Sequence, residues 1–233
     1  MRVSLLKDYS SGINDLIKMP SKKEKERARQ ILERLRNAYP DVKSAIESES
    51  PFELLIATIL SAQCTDERVN IVTKDLFRKY KKPRDYLKVR NSVLEKDIYS
   101  TGFFRQKAKN IKQTCQKLLD DYNGKVPVNF DELTKLPGVG RKTASVVAGN
   151  AFDIPAIAVD THVRRLSNLL GFISSNNVDK IEAKLKELFA EKDWVNSSHW
   201  LATHGRKICI ARRPKCDECF LSDLCPGFQS VKK

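Results

Sequence analysis

The sequence predicts an all-α fold built from about ten helices of ordinary length. Helical periodicity recurs along the chain, capping residues precede several periodic segments, and no stretch shows the alternation of a β-strand. With 233 residues the chain is long enough to bury a hydrophobic core without the help of disulfides. These observations place it in the all-α class.

The first helices are predicted after a mixed N-terminal extension, residues 1–22. The charged segment SKKEKERARQILERLR alternates signs at helical spacing, which indicates a surface helix. Ser50, Pro51 and Glu53 then match a capping box, with serine at the N-cap and proline at the first helical position. This box predicts a helix over the segment FELLIATILSAQ, which ends at Gln63.

Four further helices are predicted from periodicity and caps. One amphipathic helix stops near Gly124, and the apolar side chains that recur along it at steps of three and four are Phe104, Ala108, Ile111, Cys115, Leu118, Leu119 and Tyr122. Asn129 can cap a short helix through Leu133. Asp160 or Thr161 can cap one that runs to Leu170, and Asn177 can cap the segment VDKIEAKLKELFA.

The charge balance of the chain favours a polyanionic partner. Lys and Arg outnumber Asp and Glu by 43 to 29, which gives a net charge of +14. A solvated basic face is the alternative, and binding to a membrane surface is less favoured. The aliphatic run 54–60 is too short to span a bilayer, and MRVSLLKDYSSG lacks the apolar core of a secretory signal. We therefore expect a cytoplasmic protein with free thiols.

A glycine hairpin lies between two predicted helices. The first ends near Lys135, LPGVG follows, and the second begins at Arg141, so the segment is a predicted helix-hairpin-helix. Gly138 and Gly140 are expected to adopt backbone conformations that a side chain would forbid. Exposed amides at the positive end of the second helix would bind a phosphate oxygen. An ordinary helical turn with a glycine cap is the alternative.

Lys142 and Asp160 are the candidate reactive groups. Lys142 lies in the first turn of the second hairpin helix, where the helix dipole and Arg141 both disfavour its ammonium form. It is therefore a candidate nucleophilic amine, with a solvated surface lysine as the alternative. Asp160 follows an apolar run at a helix start and is either a functional carboxylate or only a cap.

Four cysteines are crowded into a short segment near the C-terminus. Cys209, Cys216, Cys219 and Cys225 combine one CxxC pair with two longer arms. This spacing favours a [4Fe–4S] cluster, with a zinc site or a disulfide framework as alternatives. Three cations between the first two cysteines are predicted phosphate contacts: Arg212, Arg213 and Lys215.

Taken together, LLIATILSAQCTD, LPGVGRKTA, VDTHVRRL and the four-cysteine loop resemble the endonuclease III family, the iron–sulfur helix-hairpin-helix DNA glycosylases of base-excision repair. The resemblance covers residues 23–226. It implies a six-helix domain over residues 44–154 that contains the helix-hairpin-helix at 130–150. The second domain, from residues 23–43 and 155–233, would hold the cluster, with DNA in the cleft between the two.

The resemblance also implies the reaction. Lys142 would attack C1′ of a damaged nucleotide to form a Schiff base, and Asp160 would be its electrostatic partner. The protein would be a monomeric, nucleoid-associated DNA glycosylase and abasic-site lyase. Its partner would be double-stranded DNA with oxidised or reduced pyrimidines or abasic sites, and no membrane is implied. A monofunctional mismatch glycosylase and a non-catalytic DNA-binding protein are the alternatives.

The DNA contacts follow from the same resemblance. Gln63 would fill the space left by the extruded nucleotide, with a plain helix-end glutamine as the alternative. Phe103 matches the position of an apolar wedge that is often aliphatic in the family, and the alternative is a core phenylalanine. His162 is assigned a supporting role. The remaining contacts are assigned to the hairpin, at Gly138, Gly140, Arg141 and Thr143.

Overall fold

The computed structural model describes residues 19–228, and this part of the chain contains α-helices and short 3₁₀ turns but no strand. The all-α prediction is confirmed. Residues 1–18 of the predicted N-terminal extension lie outside the described residues. The helices are α1 (Lys22–Ala38), α2 (Pro51–Leu60), α3 (Asp66–Lys79), α4 (Pro83–Lys88), α5 (Asn91–Asp97), α6 (Phe104–Tyr122), α7 (Phe130–Thr134), α8 (Arg141–Phe152), α9 (Thr161–Leu169), α10 (Val178–Leu188) and α11 (Trp194–Lys207).

The buried side chains form two separate cores. The first lies among helices α2 to α8, with Leu55, Ile111 and Val147 at its centre. The second joins α1 to helices α9, α10 and α11 and to the cysteine segment. The domain boundaries at residues 44 and 154 stay a prediction. The separation of the two cores supports this prediction. Residues 44–154 contain the helices α2 to α8, of which α4 and α5 are short.

Two arginines of α1 attach the start of the described chain to its end. The Arg27 guanidinium donates hydrogen bonds to the carbonyl oxygens of Leu170 at 2.6 Å and Leu224 at 3.0 Å. Arg34 binds the Asp223 carboxylate through both terminal nitrogens, at 2.5 and 2.9 Å. The second core is therefore assembled from both ends of the sequence.

The predicted capping box at Ser50 is only half formed. Ser50 Oγ accepts the Glu53 amide at 3.2 Å and Pro51 is the first helical residue, but the Glu53 carboxylate accepts the amide of Glu49 instead of that of Ser50. A complete capping box occurs at the start of α1, where Ser21 and Glu24 bind each other's amides. The residue types alone did not decide which amide the Glu53 carboxylate binds.

Helix α2 is also shorter than predicted. It ends at Leu60, and Gln63 has a left-handed φ of +52°, so the SAQ segment is a turn. The turn reverses the chain before Thr65 caps α3. The other predicted caps are confirmed: Asn129, Asp160 and Asn177 each accept an amide hydrogen bond at the start of α7, α9 and α10. Within residues 19–228, no helix is both long and apolar enough to cross a membrane.

Candidate active site

The glycine hairpin joins α7 to α8. Its two glycines differ in backbone conformation and in the space around them. Gly138 has a left-handed φ of +78°, and a Cβ there would lie 2.7 Å from Asn110 Nδ2 and 2.9 Å from Asn110 Cβ. Backbone conformation and space therefore both require glycine at 138. Gly140 has an ordinary φ of −87°, so the prediction that its backbone excludes side chains is wrong. A Cβ at 140 would meet no atom within 4 Å, and the start of α8 is left uncovered.

Lys142 and Asp160 line the same cleft. Lys142 is the second residue of α8, whereas Asp160 is the N-cap of α9, where its Oδ1 accepts the amide hydrogen of Val163 at 2.7 Å. The cleft is small and open to solvent, with a volume of about 80 Å³. A primary amine, a carboxylate and several hydroxyl groups therefore line one cavity. Its other polar lining residues include Ser44, Thr58, Ser61, Asp66, Ser198, His199 and Arg206.

Helix α11 supplies cleft residues that the sequence analysis missed. Arg206 Nη2 lies 2.7 Å from Asp66 Oδ2 on α3, so this ion pair joins the two cores beside the cleft. His199 Nε2 lies 2.7 Å from Asn150 Oδ1, and burial lowers the pKa of His199. Because Asn150 Nδ2 donates to the Val146 carbonyl, its Oδ1 accepts and the neutral His199 ring donates through Nε2. His199 and Arg206 are seven residues apart, which places them on the same face of a helix. This spacing is the sequence feature that could have indicated their common position.

His162 lies behind the cleft and is not among the side chains that line it. Its Nδ1 is buried and makes no hydrogen bond within the described part of the chain. Burial lowers the pKa of His162, Arg206 and Arg165 lower it further, and the Asp160 carboxylate opposes them. Gly205 leaves room for the ring, since a Cβ there would lie 3.0 Å from His162 Nδ1. A neutral, packed imidazole is consistent with a supporting role.

Gln63 and Phe103 are both exposed at turns with left-handed backbone, at φ +52° and +47°. Phe103 is 66% exposed and directly precedes α6, so the core-phenylalanine alternative is wrong. Gln63 lies three residues beyond Leu60, the last residue of α2. Their contact with DNA stays a prediction.

The predicted basic contacts have different surroundings. Arg141 is bound to Asp179 at 3.0 Å and to Glu182 at 3.1 Å, and its guanidinium lies 5.4 Å from the centre of the Phe130 ring. Hydrogen bonding to the Glu182 carboxylate raises the pKa of Arg141. Arg141 is therefore already engaged by carboxylates, while Thr143 is half-buried in the first turn of α8. By contrast, three cations are exposed on the cysteine segment: Arg212, Arg213 and Lys215.

The cysteine segment folds around one apolar pocket, which Leu166, Leu169 and Leu221 line together with all four thiols, those of Cys209, Cys216, Cys219 and Cys225. Burial raises the pKa of the Cys209 and Cys219 thiols. The cysteines of the chain are free thiols, and within residues 19–228 no three potential ligands converge on a point that would hold a single metal ion. Thiols spread around an apolar wall fit a multi-iron cluster.

Residues 56–191 match the family model of the HhH-GPD superfamily base excision DNA repair protein. Residues 209–225 match the model of the iron–sulfur binding domain of endonuclease III. Endonuclease III of Synechocystis sp. is 47% identical over 216 residues, which cover 92% of this chain and 98% of the relative. The chain belongs to the endonuclease III family.

Solved structures of endonuclease III are similar throughout the fold. A non-covalent endonuclease III–DNA complex and a trapped endonuclease III–DNA covalent intermediate each have a TM-score of 0.87 and 46% identity to this chain. In both cases the match covers 90% of this chain and 99% of the other. As a member of the endonuclease III family, the chain is a DNA glycosylase and abasic-site lyase of base-excision repair that carries a [4Fe–4S] cluster.

Proposed function

We propose that this enzyme removes oxidised or reduced pyrimidines from double-stranded DNA and then cleaves the strand, with Lys142 as nucleophile and Asp160 as its electrostatic partner. The observation that carries the proposal is the shared cleft: one helix of the first core and one helix start of the second bring an amine and a carboxylate to the same cavity.

The two groups account for the chemistry of both steps. The Lys142 amine attacks C1′ of the damaged nucleotide, and the base departs with the electrons of the glycosidic bond. Positive charge that develops on the sugar is stabilised by the Asp160 carboxylate. The C1′–O4′ bond of the sugar then opens, and O4′ takes up the proton that the attached nitrogen loses, which gives the imine. The imine acidifies the C2′ proton, loss of that proton expels the 3′ phosphate, and water hydrolyses the imine to restore the amine.

Access to C1′ requires extrusion of the nucleotide from the duplex. We assign Gln63 and Phe103 to the vacated space, and the amides at the start of α8 to a backbone phosphate. The exposed cations of the cysteine segment would contact neighbouring phosphates. One cleft per chain is sufficient for this reaction, so the proposed active form is a monomer, associated with the nucleoid in the cytoplasm.

We assign the four cysteines of the apolar pocket as the ligands of the [4Fe–4S] cluster. When bound, the cluster supplies four iron–thiolate bonds that cross-link this segment of the chain. The cysteines and Arg34, which donates to the Phe220 carbonyl at 2.8 Å, then hold the segment that displays Arg212 and Arg213.

Borohydride trapping tests the nucleophile. Wild-type protein should form a reduced covalent adduct with a duplex that contains thymine glycol, and Lys142→Gln should form none while it still binds that duplex, because only the amine can form the imine. Lys180→Gln, on the exposed surface of α10, is the matched control and should trap normally. An undiminished adduct with Lys142→Gln would refute the assignment.

Two further duplexes test the substrate class. Release of uracil or of a mispaired base without any trapped adduct, together with inactivity on thymine glycol, would support the monofunctional mismatch glycosylase instead. Binding of all duplexes without base release would support a non-catalytic DNA-binding protein.

A further inference from the structure

Lys107 is a buried cation of α6 that the reaction above does not use. Its side chain is 4% exposed, and its Nζ donates hydrogen bonds of 2.7 Å to two carbonyl oxygens, those of Leu60 and Thr101. Burial lowers the pKa of Lys107, and the electrostatic interaction with Cys64 opposes this shift. An amine buried to this degree is costly unless its hydrogen bonds are satisfied.

The two acceptors explain why a lysine is placed here. Leu60 is the last residue of α2, and Thr101 is the last residue of the 3₁₀ turn Tyr99–Thr101. Carbonyl groups at the end of a helix lack partners within the helix, and the negative end of the helix dipole favours a cation. One ammonium group therefore satisfies two helix ends that belong to different parts of the chain.

Each of these helix ends leads directly into a turn that carries a proposed DNA-inserting side chain. The turn after Leu60 contains Gln63, and the turn after Thr101 contains Phe103, both with left-handed backbone. The backbone amide of Lys107 also donates to the Phe103 carbonyl at 3.0 Å. Lys107 thus holds the Phe103 turn through its backbone and links it to the Gln63 turn through its side chain.

We propose that Lys107 is a positioning residue that fixes the separation of the Gln63 and Phe103 turns, so that both side chains enter the gap in the duplex together. The proposal rests on the proposed function, because it assumes that these two residues replace the extruded nucleotide. The spacing of stacked bases is about 3.4 Å, so a small shift of one turn relative to the other misplaces a side chain by a large part of a base step.

This role predicts a selective defect. Lys107 is not among the residues that line the cleft of Lys142 and Asp160, so its loss should leave the chemical groups in place. A damaged base that is still paired must be extruded before reaction, whereas an abasic site has no base to extrude. A purely structural lysine would affect both substrates alike.

The test compares Lys107→Met with Lys112→Met in the full-length protein that carries its cluster. Lys112 lies on the same helix and also donates to a backbone carbonyl, that of Val89 at the end of α4, but it contacts neither turn. Single-turnover rates are measured on a thymine glycol duplex and on an abasic-site duplex. We expect Lys107→Met to lower the ratio of the two rates about tenfold or more, and Lys112→Met to leave it unchanged.

A double-mutant cycle tests whether Lys107 acts through the inserted side chains. If it does, Lys107→Met should change the thymine glycol rate little in a protein that already carries Phe103→Ala and Gln63→Ala, because the groups that it positions are gone. A full additional loss in that background would overturn the proposal.

The outcomes separate this proposal from the proposed function. Wild-type protein that releases no thymine glycol contradicts the proposed function itself. Active wild-type protein with equal slowing of both substrates by Lys107→Met contradicts only the positioning role. If Lys107→Met does not fold, Lys107→Gln is the second variant, because it keeps a polar group while its shorter side chain should not bridge the Leu60 and Thr101 carbonyl oxygens. The rate ratio should fall in this variant too, and an unchanged ratio would refute the role.

Discussion

Asp160 has two functions in the structure that substitution can separate, a helix cap and a negative charge in the cleft. Its Oδ1 accepts the Val163 amide hydrogen at 2.7 Å, and asparagine at this position can accept the same hydrogen bond. Asparagine and aspartate are about equally good N-caps, so Asp160→Asn should change the free energy of unfolding by less than about 0.5 kcal/mol. Asp160→Ala removes the cap and should cost about 1 kcal/mol.

Both substitutions remove the same charge from the cleft. Loss of one preorganised electrostatic group typically lowers the rate of the chemical step by about a hundredfold to a thousandfold. We therefore expect Asp160→Asn and Asp160→Ala to slow base release by about a hundredfold or more, although only the second is measurably less stable. Equal loss of rate at unequal stability identifies the charge as the cause.

Asn177→Ala is the matched control for the cap. Asn177 Oδ1 accepts the Lys180 amide hydrogen at 3.0 Å at the start of α10, and the residue does not line the cleft. Its loss should also cost about 1 kcal/mol, with a normal rate of base release.

The assays are single-turnover release of thymine glycol from a duplex and equilibrium unfolding in urea. Base release by Asp160→Asn within a few-fold of wild type would reduce Asp160 to a cap. Comparable slowing by Asn177→Ala would show that helix stability, and not the carboxylate, limits the reaction.

Three further predictions concern the hairpin, the basic surface and the cluster. Gly138→Ala should lower the free energy of unfolding by about 2 kcal/mol or more, because it combines a left-handed φ with a clash against Asn110, whereas Gly140→Ala should stay within about 0.5 kcal/mol in urea unfolding. Arg212→Gln should reduce the slope of log affinity against log salt by about one unit, while Arg141→Gln should leave the slope unchanged because carboxylates already bind that guanidinium. Metal analysis should find about four irons per chain and little zinc, and one zinc without iron would overturn the cluster assignment.

The features that could be predicted from the sequence depend on short-range interactions. Asn129, Asp160 and Asn177 were identified as caps because each binds an amide two or three residues ahead, a relation that the residue types decide locally. The assignments of Lys142 and Asp160 and of the four cysteines rest on the same kind of local pattern together with the family resemblance, and they stay predictions. The Ser50 capping box was predicted from the same kind of local pattern, but the Glu53 carboxylate accepts the amide hydrogen of Glu49 instead of that of Ser50.

The features that could not be predicted depend on partners that are distant in sequence. Arg141 was predicted as a DNA contact, but its partners Asp179 and Glu182 lie on α10, and nothing in the hairpin sequence indicates them. Lys107 is similar, since a lysine on an amphipathic helix is usually exposed and only the folded chain brings two carbonyl groups to its amine. The roles of side chains at the interface between the two cores can therefore be identified only from the tertiary structure.

The position of Arg141 bears on how the active site is assembled. Lys142 belongs to a helix of the first core and Asp160 to a helix start of the second, so their placement in one cleft depends on how the two cores are held together. Arg141 immediately precedes Lys142 and binds α10 of the second core, and on another side of the cleft Arg206 binds Asp66 of the first. The carboxylates that bind Arg141 also offset the positive charge that it would otherwise place beside Lys142. Arg141 therefore fixes the start of α8 against the second core, and its contact with DNA stays a prediction.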